Sequence, residues 1–344
     1  MTVGGRIMAD NFFCLDIGEK YTKVADAKKA GDVVEVAAIG KVETGEFFYT
    51  TESEKDLENQ ANLIGKLITG VKIGKKNVNV VIPDSLTYNQ ILTMPYLNEK
   101  ELISAIKYQA DQFIPMPIEE TNIDLEIIEE HKEEKKIMVL IVAAPKKLVE
   151  KIQTVVEMSG LIPESIETEL SANSRFLANF YQKSTPKTPL NFLLANFASN
   201  STNLSYFENT PPVIRESRNL LLGYQLFLKE IQVNTDTDAK KAAEILKTFS
   251  PDHPVSYPVE TIIAPLIREF TLEVKKFIAT RRPRALYIIN NIAYFPALTA
   301  LFEKQLSLPT SVFSPLTFVK KTPLVDSFGS ELSLFVSTLG GNLR

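Results

Sequence analysis

The sequence predicts an α/β fold with two lobes, and three observations support this prediction. A pattern of strand, tight turn, strand and third strand at residues 12–42 recurs at residues 190–216, which indicates duplication of one subdomain. Residues 92–168, between the two copies, form a unit with its own helices and strands. The chain has 344 residues and is 44% hydrophobic and 23% charged, a globular composition with enough length for two cores.

Composition and charge exclude several classes of protein. The formal net charge is -4 and the isoelectric point is about 5.6, so nothing favours binding to nucleic acid. The single cysteine, Cys14, cannot form an internal disulfide, which is typical of a reducing compartment. No apolar run reaches the roughly 18 residues of a membrane-spanning helix, and the N-terminus lacks a secretory signal. We therefore expect a cytoplasmic protein, with Met8 a candidate for its true first residue.

The first copy of the strand pattern predicts antiparallel strands within residues 12–42, because apolar and polar residues alternate there. A helix is expected at residues 54–69. It is followed by a short buried strand at residues 78–82, just before a proline, and by a further strand at residues 86–94.

A strongly marked helix opens the inserted unit. Asn98 is placed to cap its N-terminus and Glu101 to complete a capping box. The apolar residues at helical spacing are Leu102, Ile103, Ile106, Ala110 and Phe113. Two strands, a helix and a last strand are expected at residues 122–128, 137–144, 145–159 and 163–168. Together these elements predict a compact αββαβ unit.

The second copy of the pattern predicts strands at residues 190–196, 202–207 and 212–216. A polar, proline-containing segment at residues 182–189 is expected to link the lobes. After the strands, helices are expected near residues 219–232, at 239–249, from 259 onward, and near 295–306 and 327–339, with one buried strand at 286–289.

The turn between the first two strands has the sequence Asp16-Ile17-Gly18-Glu19-Lys20. A glycine in such a turn lets backbone N–H groups approach a phosphate. The carboxylate of Asp16, at the end of a strand, can hold the water shell of a magnesium ion. The motif therefore predicts a nucleotide site, although an aspartate and a glycine at a hairpin turn are also ordinary turn chemistry.

The order of the elements is that of an actin-like nucleotide-binding fold, with one phosphate hairpin in each lobe and an adenosine-side turn after a late strand. More specific segments are P-Y-L-N-E-K-E-L at residues 95–102 and F-I-P-M-P at residues 113–117. With Asp16, Gly18 and Lys23 of the first loop, these segments resemble the PilM family of type IV pilus assembly proteins. The resemblance continues at residues 140–146, 167–175 and 328–340, and covers about residues 12–340.

The resemblance implies an actin-like (ribonuclease H-like) two-lobed α/β fold with an FtsA-type inserted subdomain. The implied division is a first subdomain at residues 9–91, the insertion at 92–168, a return helix and linker at 169–189, and a second lobe at 190–344 with a helical subdomain at about 219–280.

The resemblance also implies a partner. The family is cytoplasmic and binds the short N-terminal tail of the inner-membrane protein PilN, which we expect in a groove between the first subdomain and the insertion. Association with the membrane would then be indirect, through a PilN-like protein. Other components of the pilus platform and a second copy of the chain are further expected partners.

For the cofactors ATP and magnesium, the resemblance implies a first loop made of Asp16, Gly18, Glu19, Lys20 and Lys23, with Asp16 reaching the metal through water. The second loop departs from the family pattern D-I-G-x-x-x-T, because residues 196–202 read N-F-A-S-N-S-T and keep only the threonine, Thr202.

Two substitutions in the second loop bear on the nucleotide. Asn196 removes a charge that would orient the cation. Ala198 adds a Cβ that would be strained at positive φ and that would stand near the phosphate. Both changes weaken the prediction of a working phosphate loop.

The adenosine-side turn departs as well, because Asn290-Asn291-Ile292 stands where the family has three glycines. Asn290 and Asn291 tolerate left-handed backbone, but Ile292 is expected to put a branched side chain where the nucleotide would lie. Weakened or lost ATP binding is therefore favoured over intact binding. Glu169 is the candidate for polarising an attacking water, and its alternative role is a carboxylate at a helix N-terminus.

Three functions follow from these observations. The favoured one is a cytoplasmic scaffold of a type IV pilus or related secretion platform, for which nucleotide is optional. An active actin-like ATPase or kinase is the alternative enzyme, and it would need intact phosphate loops. A filament-forming protein similar to FtsA is the third.

Overall fold

The computed structural model of the protein describes residues 11–97, 101–102, 104–106, 114–131, 133–181, 190–251 and 257–344. The strands are β1 (Phe12–Ile17), β2 (Tyr21–Ala30), β3 (Val33–Glu43), β4 (Asn77–Ile82), β5 (Tyr88–Pro95), β6 (Thr121–His131), β7 (Lys136–Pro145), β8 (Ile162–Thr168), β9 (Phe192–Phe197), β10 (Thr202–Asn209), β11 (Pro212–Leu220), β12 (Leu286–Asn290) and β13 (Thr310–Val312). The helices are α1 (Glu54–Gly70), α2 (Lys146–Met158), α3 (Glu169–Tyr181), α4 (Tyr224–Thr235), α5 (Ala239–Thr248), α6 (Val259–Phe277), α7 (Leu298–Leu306), α8 (Pro323–Phe328) and α9 (Val336–Gly341).

Two five-stranded sheets with the same topology form the two lobes. Their strand orders are β3-β2-β1-β4-β8 and β11-β10-β9-β12-β13. In each sheet the first three strands along the chain pair antiparallel. The fourth strand pairs parallel with the first, and the fifth pairs parallel with the fourth. The predicted repeat of the strand pattern is therefore confirmed, and it gives the two hairpin loops equivalent places in their lobes.

The insertion is built on a third sheet, β5-β7-β6, whose membership differs from the predicted αββαβ unit. β5 begins at Tyr88 and pairs with β7 along its whole length. β8 pairs with β4 in the first-lobe sheet, and α2 buries Ile152, Val155 and Val156 in the first-lobe core. Apolar spacing identifies a helix or a strand but not the sheet that it joins. The prediction that β8 and α2 belong to the inserted unit is therefore wrong.

The C-terminal segment returns to the first lobe, where α9 packs against α3 and β1. A Cβ on Gly340 would lie 2.0 Å from the carbonyl oxygen of Ala172, and one on Gly341 would lie 2.4 Å from Cys14 Sγ. Only glycine permits this close approach. It brings the hydroxyl of Ser337 to the end of β1.

Two helix boundaries in the second half of the chain differ from the sequence prediction. The closing helix expected at residues 327–339 is divided, because α8 ends at Phe328 and Gly329 takes a φ of 48° before a 3-10 turn leads to α9. α4 begins at Tyr224 rather than near residue 219, because β11 continues to pair with β10 as far as Leu220. The long helix predicted from Val259 is confirmed.

Some sequence predictions lie outside the described residues, namely Met8, the cap at Asn98, the helix positions Ile103, Ala110 and Phe113, and the linker at 182–189. Leu102 and Ile106 of the same predicted helix are described, and both are buried against the inserted sheet beside Ile137 and Val139. No described helix is both long and apolar enough to cross a membrane.

Candidate functional site

Asp16 is the penultimate residue of β1 and is fully buried. Its Oδ2 forms an ion pair with Lys23 Nζ at 2.8 Å and accepts hydrogen bonds from Ser337 Oγ at 2.6 Å and Thr338 Oγ1 at 3.4 Å. Lys23 Nζ also donates to the carbonyl oxygen of Leu334 at 3.1 Å. The C-terminal segment therefore provides hydrogen-bond partners to Asp16, the predicted metal contact, and to Lys23, the predicted phosphate contact. Among the described atoms, Asp16 Oδ1 has no hydrogen-bond partner.

The backbone of the first loop is closed on itself. The N–H of Gly18 donates to the carbonyl of Tyr21 at 3.0 Å, and a Cβ on Gly18 would lie 2.8 Å from that oxygen. The turn thus requires glycine. Thr44, which follows β3, donates its hydroxyl to the carbonyl of Gly18 at 2.7 Å. The loop uses its N–H internally, so this group is not directed at a ligand.

Two buried carboxyl groups, Asp84 and Glu169, lie where β4 and α3 meet. Glu169 opens α3, and its Oε2 accepts from the N–H of Asp84 at 3.3 Å, while Asp84 Oδ1 accepts from the N–H of Leu170 at 3.0 Å. Burial raises the pKa of Glu169 to about 8 and the pKa of Asp84 to about 7, and repulsion from nearby carboxylates adds to both shifts. A carboxyl group that keeps its proton at neutral pH is a poor base for an attacking water.

Contacts within its own lobe hold the second loop at Ala198 and Thr202. The N–H of Ala198 donates to the carbonyls of Asn196 at 3.0 Å and Ser201 at 2.9 Å. Ala198 is not among the described residues with positive φ, so the expected strain from its Cβ is absent. Thr202 is buried and donates its hydroxyl to the carbonyl of Leu222 at 2.6 Å, which makes it a support of the loop.

α4 starts directly on the second loop. The N–H groups of Tyr224 and Gln225 donate to the carbonyls of Ala198 and Ser199 at 3.0 and 2.9 Å. A Cβ on Gly223 would lie 2.5 Å from the carbonyl oxygen of Ser199, so this contact requires glycine. The N–H groups at a helix N-terminus can bind an anion, but here these two donate to carbonyls of the second loop.

The third loop follows β12. Asn290 takes a positive φ of 71°, but its ψ of -129° lies outside the left-handed helical region that asparagine was expected to adopt. Its Nδ2 donates to Asn196 Oδ1 at 2.9 Å and to Glu169 Oε1 at 3.3 Å. Ile292 is fully buried in the second-lobe core, so the expectation that it blocks the nucleotide position is wrong. Its side chain points into the core below the turn, while Asn291 lines the cleft.

Three tyrosines from the two lobes meet in the cleft. The ring centroid of Tyr294 lies 5.4 Å from that of Tyr21 and 6.3 Å from that of Tyr224. Lys41 donates to Tyr294 Oη and lies 5.0 Å from the ring centroids of both Tyr21 and Tyr294. Lys20 lies 5.6 and 5.4 Å from the centroids of Tyr21 and Tyr224. Burial raises the pKa of each tyrosine and lowers that of Lys20, so the cluster is built on neutral rings and cation–π contacts.

Glu19 connects the first loop to the second across the cleft. Its Oε1 accepts from Asn200 Nδ2 at 2.7 Å, and its Oε2 accepts from the N–H of Asn200 at 3.2 Å. The carboxylate therefore occupies a backbone donor of the second loop.

The cavity left between the three loops has a volume of about 20 Å³. A single water needs about 10–15 Å³, whereas sites for small molecules have about 300–1,000 Å³. The residues present therefore do not fit a nucleotide in this arrangement. The described residues also contain no cluster of three or more His, Cys, Asp or Glu side chains that could hold a metal ion.

The structure brings most of the predicted site residues to one place. Those that line the cavity are Gly18, Glu19, Lys20, Lys23, Glu169, Ala198, Asn290 and Asn291. Sequence reasoning missed Tyr294, Tyr224, Lys41 and Asp84. Two signals could have found some of them: an aromatic residue close after the asparagine turn, and a carboxylate at the end of a buried strand.

A second candidate site is a groove of about 520 Å³ at the base of the inserted sheet. Its apolar lining consists of Tyr49, Leu57, Leu86, Pro145 and Leu148, and its charged lining of Glu52, Lys147, Glu150 and Lys151. Lys151 donates to the carbonyl of Thr51, and Tyr49 donates its hydroxyl to the carbonyl of Ile17. These bonds tie the segment after β3 to α2 and to the first-lobe sheet.

Both the sequence and the structure are similar to those of known proteins. A family model for the type IV pilus assembly protein PilM matches residues 14–334. The structure is similar to a chain of the PilM-PilN type IV pilus biogenesis complex, with a TM-score of 0.82, 20% identity, and coverage of 97% of this chain and 98% of that one.

A more distant structure shares the fold. The ethanolamine utilization protein EutJ from Carboxydothermus hydrogenoformans matches with a TM-score of 0.55, 13% identity, and coverage of 96% of this chain and 88% of that one. The activator of 2-hydroxyisocaproyl-CoA dehydratase from Clostridium difficile, solved with bound ADPNP, has a TM-score of 0.47 at 10% identity, with coverage of 96% and 92%. The predicted actin-like fold class is confirmed.

Proposed function

Because this chain belongs to the family of the type IV pilus assembly protein PilM, we propose that it is a cytoplasmic scaffold of a type IV pilus or related secretion platform. Its proposed ligand is the cytoplasmic N-terminal tail of a PilN-like inner-membrane protein. The similar solved structure is a complex of PilM with PilN, which supports this choice of partner. In this proposal the protein reaches the inner membrane only through that partner.

The observation that carries the proposal is the groove at the base of the inserted sheet. Its volume of about 520 Å³ lies in the range of about 300–1,000 Å³ that ligand sites occupy. Tyr49, Leu57 and Leu148 offer it apolar surface. In an extended peptide every second side chain points to the same side, so a short tail can place alternate apolar residues on this lining while its other side chains face water.

The lining is also preorganised for such a peptide. The hydrogen bond from Lys151 to Thr51 holds the segment after β3 against α2 before any ligand arrives. Glu52 and Lys147 are exposed, with 4.0 Å between Oε1 and Nζ, so their pairing is weak and either can turn to a charge on the tail. A lining that is already ordered loses less entropy on binding.

Calorimetric titration with a synthetic peptide of the tail tests this function. Leu148→Glu puts a charge into the apolar lining, and we expect it to weaken binding by at least about tenfold, since the bound peptide would remove water from that charge. The matched control is Leu324→Glu, which changes an exposed leucine of α8 and should keep the wild-type affinity. Circular dichroism confirms that both variants fold. Failure of the wild-type protein to bind, or equal affinity of all three proteins, would contradict the proposal.

We further propose that ATP binding is weakened or lost in this chain. The small volume of the cleft supports this, as do the internal partners of Asp16 and Lys23. The raised pKa of Glu169 argues against its action as a charged base. The scaffold role needs neither binding nor hydrolysis of nucleotide.

A further inference from the structure

We propose that the two lobes of this protein are held closed by its own side chains, which form an internal latch in the cleft where an actin-like fold would place a nucleotide. This inference rests on the part of the proposed function that concerns ATP, and it is independent of the peptide groove. The latch consists of three contacts: Tyr294 with Tyr21 and Lys41, Glu19 with Asn200, and Asn290 with Glu169.

The aromatic contact between the lobes is formed by two tyrosine rings, one from each lobe. Tyr21 belongs to the first lobe and Tyr294 to the second, with 5.4 Å between ring centroids and 36° between ring planes. Lys41 of the first lobe lies 5.0 Å from both centroids and donates to the hydroxyl of Tyr294. Ring contact and cation–π attraction act together here, in a place largely removed from water.

The other two contacts of the latch are hydrogen bonds between polar side chains of the two lobes. Both carboxylate oxygens of Glu19 accept from Asn200, so the tips of the first and second loops are bonded to each other. Asn290 of the second lobe donates to Glu169 of the first at 3.3 Å. Hydrogen bonds to fixed acceptors define one relative position of the lobes, which ring contact alone would not.

The charges around the cleft are paired internally as well. Lys23 is neutralised by Asp16 at 2.8 Å and Lys41 by Glu331 at 2.8 Å. Burial lowers the pKa of Lys20, which lies against two tyrosine rings. A triphosphate would have to displace a carboxylate from each of the two paired lysines. The cleft therefore offers its positive charge to the protein and not to an anion.

Distance measurement between spin labels on the two lobes tests the latch in the full chain. Lys55→Cys in α1 and Lys240→Cys in α5 place labels on exposed positions of opposite lobes, and the single native cysteine, Cys14, is fully buried. We expect one narrow distance distribution for the otherwise wild-type protein, unchanged by Mg-ATP. Removing the latch with Tyr294→Ala and Glu19→Ala should broaden the distribution and shift it to longer distances.

The matched control is Tyr96→Ala, which removes an exposed aromatic ring after β5 and should leave the distribution unchanged. A shift caused by Mg-ATP in the wild-type protein would overturn the proposal, and so would an unchanged distribution in the latch variant. If the double substitution prevents folding, Glu19→Ala alone and the Mg-ATP comparison decide the matter.

Titration of the labelled proteins with the tail peptide separates the two proposals. A closed protein that fails to bind the peptide would refute the scaffold function and leave the latch intact. An open or ATP-responsive protein that binds the peptide would refute the latch and leave the scaffold function intact.

Discussion

The cleft between the lobes and the groove at the base of the inserted sheet are opposite in character. The cleft gathers the charged and amide side chains that the sequence motifs predict, yet it leaves a cavity of about 20 Å³. The groove contains none of those motif residues, yet it leaves about 520 Å³. In the cleft several polar side chains bind each other across the lobes, whereas in the groove apolar side chains line open space.

This difference shows that motif residues and binding capacity are separate properties. Asp16 and Gly18 occupy the places that a phosphate loop requires, but Ser337 donates to Asp16 Oδ2 and the carbonyl of Tyr21 accepts from the N–H of Gly18. Sites for small molecules are largely pre-formed concave pockets with a few polar groups directed into them. If the cleft is a structural contact and the groove is the binding site, substitutions in the cleft should change stability, and substitutions in the groove should change affinity for the tail peptide.

The largest effect is expected from breaking the buried ion pair of the cleft. Lys23→Met leaves the carboxylate of Asp16 without a counter-charge, so the free energy of unfolding should fall by about 3–5 kcal/mol. Lys320→Met, which removes an exposed pair with Glu35, should change stability little. Urea unfolding with comparison of m-values measures both. A Lys23→Met protein as stable as the wild type would show that Lys23 is free to serve a ligand.

A second effect concerns pH, because the stability of the protein should depend on the protonation of Asp84 and Glu169 in the cleft. Their pKa values in the folded protein, about 7 and about 8, lie above the ordinary 3.8 and 4.5, so folding retains protons that the unfolded chain releases. The stability from this protonation is fully present below about pH 4 and is lost as the pH rises through about 7 and 8. We expect the unfolding free energy to drop by on the order of 1 kcal/mol or more between about pH 6 and pH 9.

Glu169→Gln provides the control for the pH effect, because an amide of the same shape does not titrate. Its stability should depend less steeply on pH than that of the wild type over the same range. Identical pH profiles of the two proteins, measured by urea unfolding, would locate the titrating group elsewhere.

A smaller effect is expected from Glu19, which is partly exposed. Glu19→Ala removes two hydrogen bonds to Asn200, and we expect a loss of about 1 kcal/mol in unfolding free energy. Glu46→Ala, at an exposed position after β3, should have no comparable effect. Affinity for the tail peptide should not change in either variant. A peptide affinity that falls with Glu19→Ala would mean that the cleft and the groove are coupled.

The smallest effect is expected from Mg-ATP. A ligand at 100 times its dissociation constant stabilises the folded state by about 2.7 kcal/mol, so binding would raise the melting temperature clearly. We expect no rise with Mg-ATP and a rise with the tail peptide in thermal unfolding. A rise with Mg-ATP that Asp16→Ala abolishes, in a variant shown to be folded, would establish that the cleft is a nucleotide site.

Sequence reasoning predicted the loops of the candidate site better than the side chains that fill it. Gly18 and the turn at Asn290 were predictable because the conformation of a turn depends on a few neighbouring residues. Ile292 and Tyr294 follow the same turn, yet Ile292 is buried in the second-lobe core and Tyr294 contacts the first lobe. Which of the two faces the cleft depends on what packs below the turn, and local preference does not specify that.

By itself the sequence determined the repeated strand pattern, the carboxylate at the end of β1 and the membership of a family. Tertiary structure decided that α2 and β8 belong to the first lobe, and that the C-terminal segment meets Asp16. Lys23 and Leu334 are 311 positions apart in the chain and 3.1 Å apart in space. Periodicity and turn chemistry are local, so they predict elements, whereas a contact between distant segments depends on how whole elements pack. The closure of the cleft and the opening of the groove are of this second kind.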